Sequence, residues 1–313
     1  MRWNFHGLTI AGETPDPELR ARWGAVFASR PASPAEPDLT CALDLTSELP
    51  PAPAGPARFR QGDFLEYYLS ADEQTAVARF PRYGQLRLDL ARGRTDGVLL
   101  RPALDAYGVL EDLLAIALSP HLRRRGWFLI HAFAAVAPRT QRAVLIVGAI
   151  GAGKTTTGLA LLAAGWRLLS NDSPIVRAPA DLLSYPGRLA AYPESFARFP
   201  ATRSLVSEIP AGARRKLSVA AEAVWPEVWA EQASCAAIVF PVIEPRAEHA
   251  LEPLSAPEAL RQLLPHAVEQ WDRALLPAHL AVLSGLAQAA PAYRLRLGPD
   301  VAALPALLAP LCR

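Results

Sequence analysis

The chain has 313 residues, 51% hydrophobic and 20% charged, with 32 Lys and Arg against 30 Asp and Glu. This is the composition of a globular protein long enough for one large or two modest domains, and a formal net charge of +2 gives no electrostatic case for nucleic acid or a membrane surface as partner. No run approaches the roughly 18 apolar residues that a membrane span needs. The start, Met1-Arg2-Trp3-Asn4-Phe5-His6, lacks the apolar stretch of a secretory signal, and Cys41, Cys235 and Cys312 are widely separated with no CxxC pair. A reducing cytoplasm is therefore the expected compartment.

Prolines number 30, about twice the usual share of roughly 5%. Seven fall between Pro31 and Pro56, which predicts an extended, poorly ordered connection there rather than an element. Residues 64–69, 75–80 and 86–90 then alternate apolar with polar or charged side chains between turns, and predict an antiparallel sheet with one wet face. The N-terminal sheet-rich lobe is set at 1–105 and a second domain at 106–313. A helix is expected over 107–125, ended by Gly126. The basic run Arg123-Arg124-Arg125 reads as its solvated C-terminal cap rather than a binding patch.

Beyond Gly126 the pattern predicts strands over 127–136 and 142–147, a helix over 154–164 stopped by Gly165, and a short strand over 167–169 ended by Ser170-Asn171-Asp172. Strand, loop, helix and strand in so short a span read as a βαβ unit, hence a sheet with helices packed on it. A strand over 236–243, helices over 257–264 and 278–289 and a last strand over 293–297 follow, with no internal repeat.

The chemistry concentrates between the second and third of these segments. Gly148-Ala149-Ile150-Gly151-Ala152-Gly153-Lys154-Thr155 matches the phosphate-loop pattern G-x-x-x-x-G-K-[ST] in full, directly after the apolar run 143–147. Glycines let the backbone reach positive φ and bring its N–H groups close around phosphate oxygens. Lys154 would reach the terminal phosphates and Thr155 would ligate Mg²⁺, while the N–H groups of the opening helix, through Thr156, face the anion. Such a loop predicts nucleotide binding and leaves motors, switches and kinases open. An acid follows soon: Asp172 lies 18 residues after Lys154, at the end of the next strand in sequence. That short spacing favours a compact kinase-type core. Small metabolite kinases of the shikimate kinase type share it, but carry the loop near the N-terminus, whereas 147 residues precede it here.

The stretch Leu129-Ile130-His131-Ala132, then the loop, then Ala163-Ala164-Gly165-Trp166-Arg167-Leu168-Leu169-Ser170-Asn171-Asp172 resembles the HPr kinase/phosphorylase family, most clearly over residues 122–178. The C-terminal rhythm is similar, more loosely, to HPr kinase-like proteins of peptide modification, including lasso-peptide kinases. The resemblance implies an α/β fold with a P-loop kinase core related to the HPr kinase C-terminal domain and to phosphoenolpyruvate carboxykinase. It also implies ATP and Mg²⁺, transfer of the γ-phosphate to a Ser or Thr hydroxyl of a peptide or small protein, and, by family precedent, assembly into a homo-oligomer.

Carried over by position, Lys154 and Thr155 bind phosphate and metal, His131 lies on the neighbouring strand close to the phosphates, and the family's acid pair falls on Asn171 and Asp172. Glu194 stands near where the family has a metal-facing glutamate, and Arg214-Arg215-Lys216 is a candidate cation for the transferred phosphoryl group. The chain departs from the pattern at Asn171, an amide that takes no proton at any relevant pH. Asp172 then serves both roles, Glu194 substitutes, or little base is needed, since phosphoryl transfer relies mostly on positioning and charge. The phosphorylase signature segment is absent, which argues against the reverse reaction and against HPr as acceptor. Two alternatives stay open: a kinase for a small-molecule hydroxyl, and an ATP-binding regulatory module with weakened catalysis.

Overall fold

The computed structural model describes residues 1–206, 216–245, 247–267 and 269–313. The described chain forms a mixed α/β fold with several sheets, divided into two compact units: Met1–Arg125 with Glu269–Leu275, and Gly126–Val268 with Leu276–Arg313.

The first unit contains β1 (Arg2–Phe5), β2 (Leu8–Glu13), helix α1 (Pro17–Val26), β3 (Leu39–Thr46), β4 (Phe59–Gln61), β5 (Leu65–Leu69), β6 (Thr75–Phe80), β7 (Gly84–Asp89), β8 (Arg94–Leu100), the short helix α2 (Pro102–Asp105) and helix α3 (Val109–Arg123). Its eight strands follow the order β1-β2-β3-β8-β7-β6-β5-β4. The meander from β4 to β8 is antiparallel throughout, as the alternating segments predict.

The Pro-rich segment differs from expectation. It contains β3, a central strand parallel to both β2 and β8. The prolines flank a proline-free stretch in which Leu39, Cys41 and Leu43 alternate into the core, so average composition hid a strand that its local period reveals.

Helix α3 belongs to this first unit, past the boundary placed at residue 105. Its His121 hydrogen-bonds the Thr95 hydroxyl of β8 at 2.9 Å. The basic run at its end does interact with the last turn, since Arg124 donates to Pro120 O at 3.0 Å and Arg125 to His121 O at 3.3 Å. It is not, however, a wholly solvated cap. Arg123 is 1% exposed and paired with Glu269 at 2.8 Å, and Arg124 pairs with Asp272 at 2.9 Å. The returning segment Glu269–Leu275 supplies both carboxylates and stacks Trp271 on Tyr67 with ring centroids 4.4 Å apart. Acids distant in sequence thus desolvate arginines that local sequence shows only as a charge run.

The second unit begins with β9 (Phe128–Leu129), β10 (Ala132–Val136), β11 (Arg142–Val147), helix α4 (Lys154–Ala163), β12 (Arg167–Ser170), β13 (Ile175–Arg177), β14 (Asp181–Leu183) and β15 (Leu189–Ala191). Short helices α5 (Pro193–Phe196) and α6 (Pro200–Arg203), β16 (Leu217–Val219) and helix α7 (Ala221–Val224) follow. It closes with β17 (Gln232–Ile243), β18 (Ala250–Leu254), helices α8 (Ala256–Leu263) and α9 (Leu276–Ala289), β19 (Ala292–Leu297) and helix α10 (Leu304–Leu308).

The main sheet runs β12-β10-β11-β17-β14-β13-β9, with β19 beside the C-terminal half of β17 and β18 beyond it. β9, at one end of that order, passes into β10, next to the strand at the other end, across Ile130 and His131. Ile130 N–H to Pro174 O (3.1 Å) and Ala132 N–H to Asp172 O (3.0 Å) carry the pairing across that break, so the sheet curls round on itself. The expected strand over 127–136 is therefore two strands with a kink at His131.

The expected βαβ unit also needs correcting. β11 and β12 are not neighbours; β10 lies between them, antiparallel to both. Both faces of β11 are covered: Val144 and Ile146 pack with Leu159 and Leu162 of α4, while Ala143, Leu145 and Val147 pack with Leu283 and Leu286 of α9. Two buried faces explain why this segment reads as an unbroken apolar run.

Candidate functional site

The segment from Gly148 to Gly153 joins the end of β11 to the start of α4, so a rigid strand and a rigid helix fix both ends of the loop. Gly151 and Gly153 adopt φ of +83° and +105°, the left-handed region where a side chain is strained. At Gly153 a Cβ would also stand 2.5 Å from Leu297 Cδ1. Ile150 at the tip is 83% exposed. The opening turn of α4, which includes Thr155 and Thr156, presents backbone N–H groups without acceptors inside the helix. That is an anion-binding geometry.

Lys154 is 8% exposed and folds back over the loop. Its Nζ donates to Gly148 O at 2.6 Å and Ala149 O at 3.2 Å, and lies 3.1 Å from His131 Nε2. His131 Nδ1 in turn lies 3.0 Å from Asp172 Oδ1. An ammonium only donates, so Nε2 accepts; a neutral imidazole then carries its proton on Nδ1 and gives it to the Asp172 carboxylate. Burial lowers the Lys154 pKa, with the Lys216 ammonium acting the same way and the Asp172 carboxylate opposing them.

The kink between β9 and β10 makes this line of contacts. His131 N–H donates to His266 O at 2.7 Å, which fixes the backbone while the ring is turned toward the loop. Asp172 leaves the end of β12 on the other side of β10, and Ser170 Oγ receives the Ser173 N–H at 3.0 Å to tighten the turn that presents it. Asp172 thus meets the loop lysine through His131 and not from a strand beside β11.

No protein-family model matches the chain, and no curated protein matches it. Among solved structures, it is similar to the HPr(Ser) kinase/phosphatase from Coxiella burnetii. The identity is 14% and the TM-score 0.29, over 58% of this chain and 92% of that one. A likeness that slight decides nothing about what this chain does.

The remaining candidates are less tightly gathered. Asn171 has a buried Oδ1 without a hydrogen-bond partner among the described residues. Glu194 is exposed on α5, and its neighbour Ser195 Oγ lies 3.1 Å from Thr156 Oγ1 and ties α5 to the opening turn of α4. Lys216 Nζ sits 5.6 Å above the Tyr192 ring, and Arg214 and Arg215 lie outside the described residues.

The described residues contain no group of three or more His, Cys, Asp and Glu able to hold a metal. A Mg²⁺ arriving with a nucleotide would ask little of the protein: it takes hard oxygen donors, keeps several waters and needs only one or two protein carboxylates when phosphates supply the rest. Thr155 and Asp172 are the residues that would hold it.

One contributor, His266, has no signal in the sequence. His266, whose pKa burial lowers with His131 and Lys154 adding to the effect, belongs to a Leu-Pro-His turn that carries no signal. With Arg261, Gln262 and Phe240 it lines a cleft of about 590 Å³ along Val147–Ala152. No described helix is long and apolar enough to cross a membrane.

Proposed function

We propose that this chain is an ATP-dependent kinase that binds Mg-ATP at Gly148–Thr156 and transfers the terminal phosphoryl group to a hydroxyl, with Ser or Thr of a peptide or small protein as acceptor. The observation that carries the reading is the hydrogen-bonded line from Lys154 through His131 to Asp172, set on a glycine loop at a helix N-terminus. A protein that only needed a tight turn here would have no use for a largely buried ammonium held between two loop carbonyls and an imidazole.

In this reading the carbonyls of Gly148 and Ala149 hold Lys154 until phosphate oxygens replace them. His131, oriented by Asp172, keeps the ammonium aimed along the loop. The acceptor oxygen attacks the γ-phosphorus as the bond to the β-phosphate oxygen breaks and ADP leaves, and the hydroxyl proton passes to Asp172. Thr155 and Asp172 would hold the Mg²⁺ that accompanies ATP, which would supply charge neutralisation on the phosphates. A loose transition state needs little base strength, so an amide at Asn171 is compatible with turnover.

Incubation with γ-labelled ATP and candidate acceptors tests the proposal. Stable label on a peptide or protein is expected, and Lys154→Ala and Asp172→Asn should each lower transfer by at least about a hundredfold. Unchanged transfer in either variant overturns the assignment. Label in a low-mass product would identify a small-molecule kinase. Asn171 favours a second reading, a nucleotide-binding regulatory module, for which tight ATP binding without transfer is the signature.

A further inference from the structure

The two most exposed large apolar side chains among the described residues are Ile150, 83% exposed at the tip of the loop, and Ile243, 65% exposed at the end of β17. Both line the cleft of about 590 Å³ that runs along Val147–Ala152, and Pro241 and Pro265 add to its apolar surface. Aliphatic surface gathered in one place and left in water gains free energy when a partner covers it. The same cleft carries a cation. Arg261, in the last turn of α8, has no hydrogen bond or ion pair among the described residues. The Glu258 carboxylate one turn earlier feels its charge but is taken by the Ser255 N–H and hydroxyl at 2.9 and 2.6 Å. An exposed guanidinium without a carboxylate of its own presents a fork that suits a partner's carboxylate.

The cleft also leads to the groups that would meet the acceptor. His266 lines it, with its ring centroid 6.3 Å from that of His131 and its backbone oxygen on the His131 N–H. His131 in turn contacts Lys154 and Asp172. In phosphoryl transfer the attacking and leaving oxygens lie roughly in line. The acceptor must therefore enter beside those groups, on the side away from the departing ADP. A small hydrophilic acceptor would leave Ile150 and Ile243 in water. A peptide segment that sets an aliphatic side chain against them and a carboxylate on Arg261 would use both features of the cleft.

We propose, resting on the kinase reading above, that this cleft docks the acceptor and selects its sequence. The segment it takes carries the phosphorylated Ser or Thr flanked by an aliphatic residue, set against Ile150 and Ile243, and by an Asp or Glu paired with Arg261.

A positional-scanning peptide library tests this, with Ser at the centre of every peptide, one flanking position fixed in each pool, the full chain as enzyme and γ-labelled Mg-ATP as donor. Wild-type protein should favour pools fixed as Leu, Ile or Val at one flanking position and pools fixed as Asp or Glu at another, each at least about fivefold over Lys at that position. Arg261→Glu should invert the acidic preference in favour of Lys and Arg, and Ile243→Ser should flatten the aliphatic one, both with KM for ATP unchanged. Uniform labelling of the pools, or selection of basic residues by the wild type, overturns the proposal and leaves the kinase reading standing. An acidic preference that survives in Arg261→Glu also overturns it. So does a raised KM for ATP in both variants with peptide preference intact, which would give the cleft to the nucleotide. If no pool takes label, the peptide-acceptor reading itself falls, and the inference with it.

Discussion

At the scale of single residues, position 171 governs how the site can work. Asn171 has a buried side-chain oxygen without a partner among the described residues, next in sequence to a carboxylate already engaged by His131. Placing a second carboxylate there would desolvate it beside a like charge, and both effects raise its pKa. An acid whose folded pKa is raised loses stability as pH climbs from its unfolded pKa to its folded one, so Asn171→Asp should be less stable than wild type at neutral pH. The variant's ionised form can take a proton where the amide cannot. The expected result is a transfer rate several-fold above wild type at about pH 8.5, falling toward acid, together with a lower melting temperature; steady-state transfer between pH 6 and 9 checks it. A rate below wild type across that whole range would show that the amide positions something and that base strength is not what the site lacks.

At the scale of elements, the close approach of α4 to β10 fixes where the loop can sit. A Cβ on Gly158 would come within 2.4 Å of the Phe133 ring, so helix and strand meet at a distance only glycine permits. Alanine in a helix interior ordinarily stabilises by about 1 kcal/mol over glycine. Here Gly158→Ala should instead destabilise by about 1–3 kcal/mol through overpacking and weaken nucleotide binding by tilting the opening turn. Adding Phe133→Leu should restore much of both, and urea denaturation with ATP titration of the single and double variants measures it. This contact also shows where the sequence could be read and where it could not. The loop, β11, α4 and the strand ending at Ser170 follow from local signals: a motif, an apolar run, a helical stretch stopped by Gly165 and a turn. The order of the strands does not. That β10 lies between β11 and β12, that the 128–136 segment kinks at His131 and pairs beyond it, and that His266 holds that kink depend on long-range hydrogen bonds with no local signature. His131 and Asp172 were legible as candidates, but their contact, and its continuation to Lys154, came only with the kink.

At the scale of the whole molecule, each unit buries ionisable groups, Lys154 and His279 in the second and His121 among those of the first. In the second unit the buried charge is Lys154, which ligand phosphates would pair. The first unit buries His121 of α3. Burial, with Arg124 and Arg125 adding to it, lowers the pKa of His121 from 6.5 to about 4, while Asp89 opposes the shift. The Thr95 hydroxyl donates to Ala117 O at 2.8 Å, so it accepts from His121 Nε2–H at 2.9 Å, and the neutral ring suits the site. A base with a depressed folded pKa stays neutral while the unfolded chain protonates. Its effect on stability is therefore nil above about pH 6.5, grows as pH falls, and levels off below about pH 4. Between pH 7 and 4.5 the loss should amount to about 2.5 kcal/mol. His121→Gln keeps an N–H able to reach Thr95 and removes the titration. Other groups act alike in both proteins, so the stability difference between variant and wild type should move in favour of the variant by roughly that amount on going from pH 7 to pH 4.5. Urea denaturation followed by the fluorescence of the buried Trp23 and Trp271 region reads it, and a difference that does not change with pH would mean that His121 is protonated in the native protein after all.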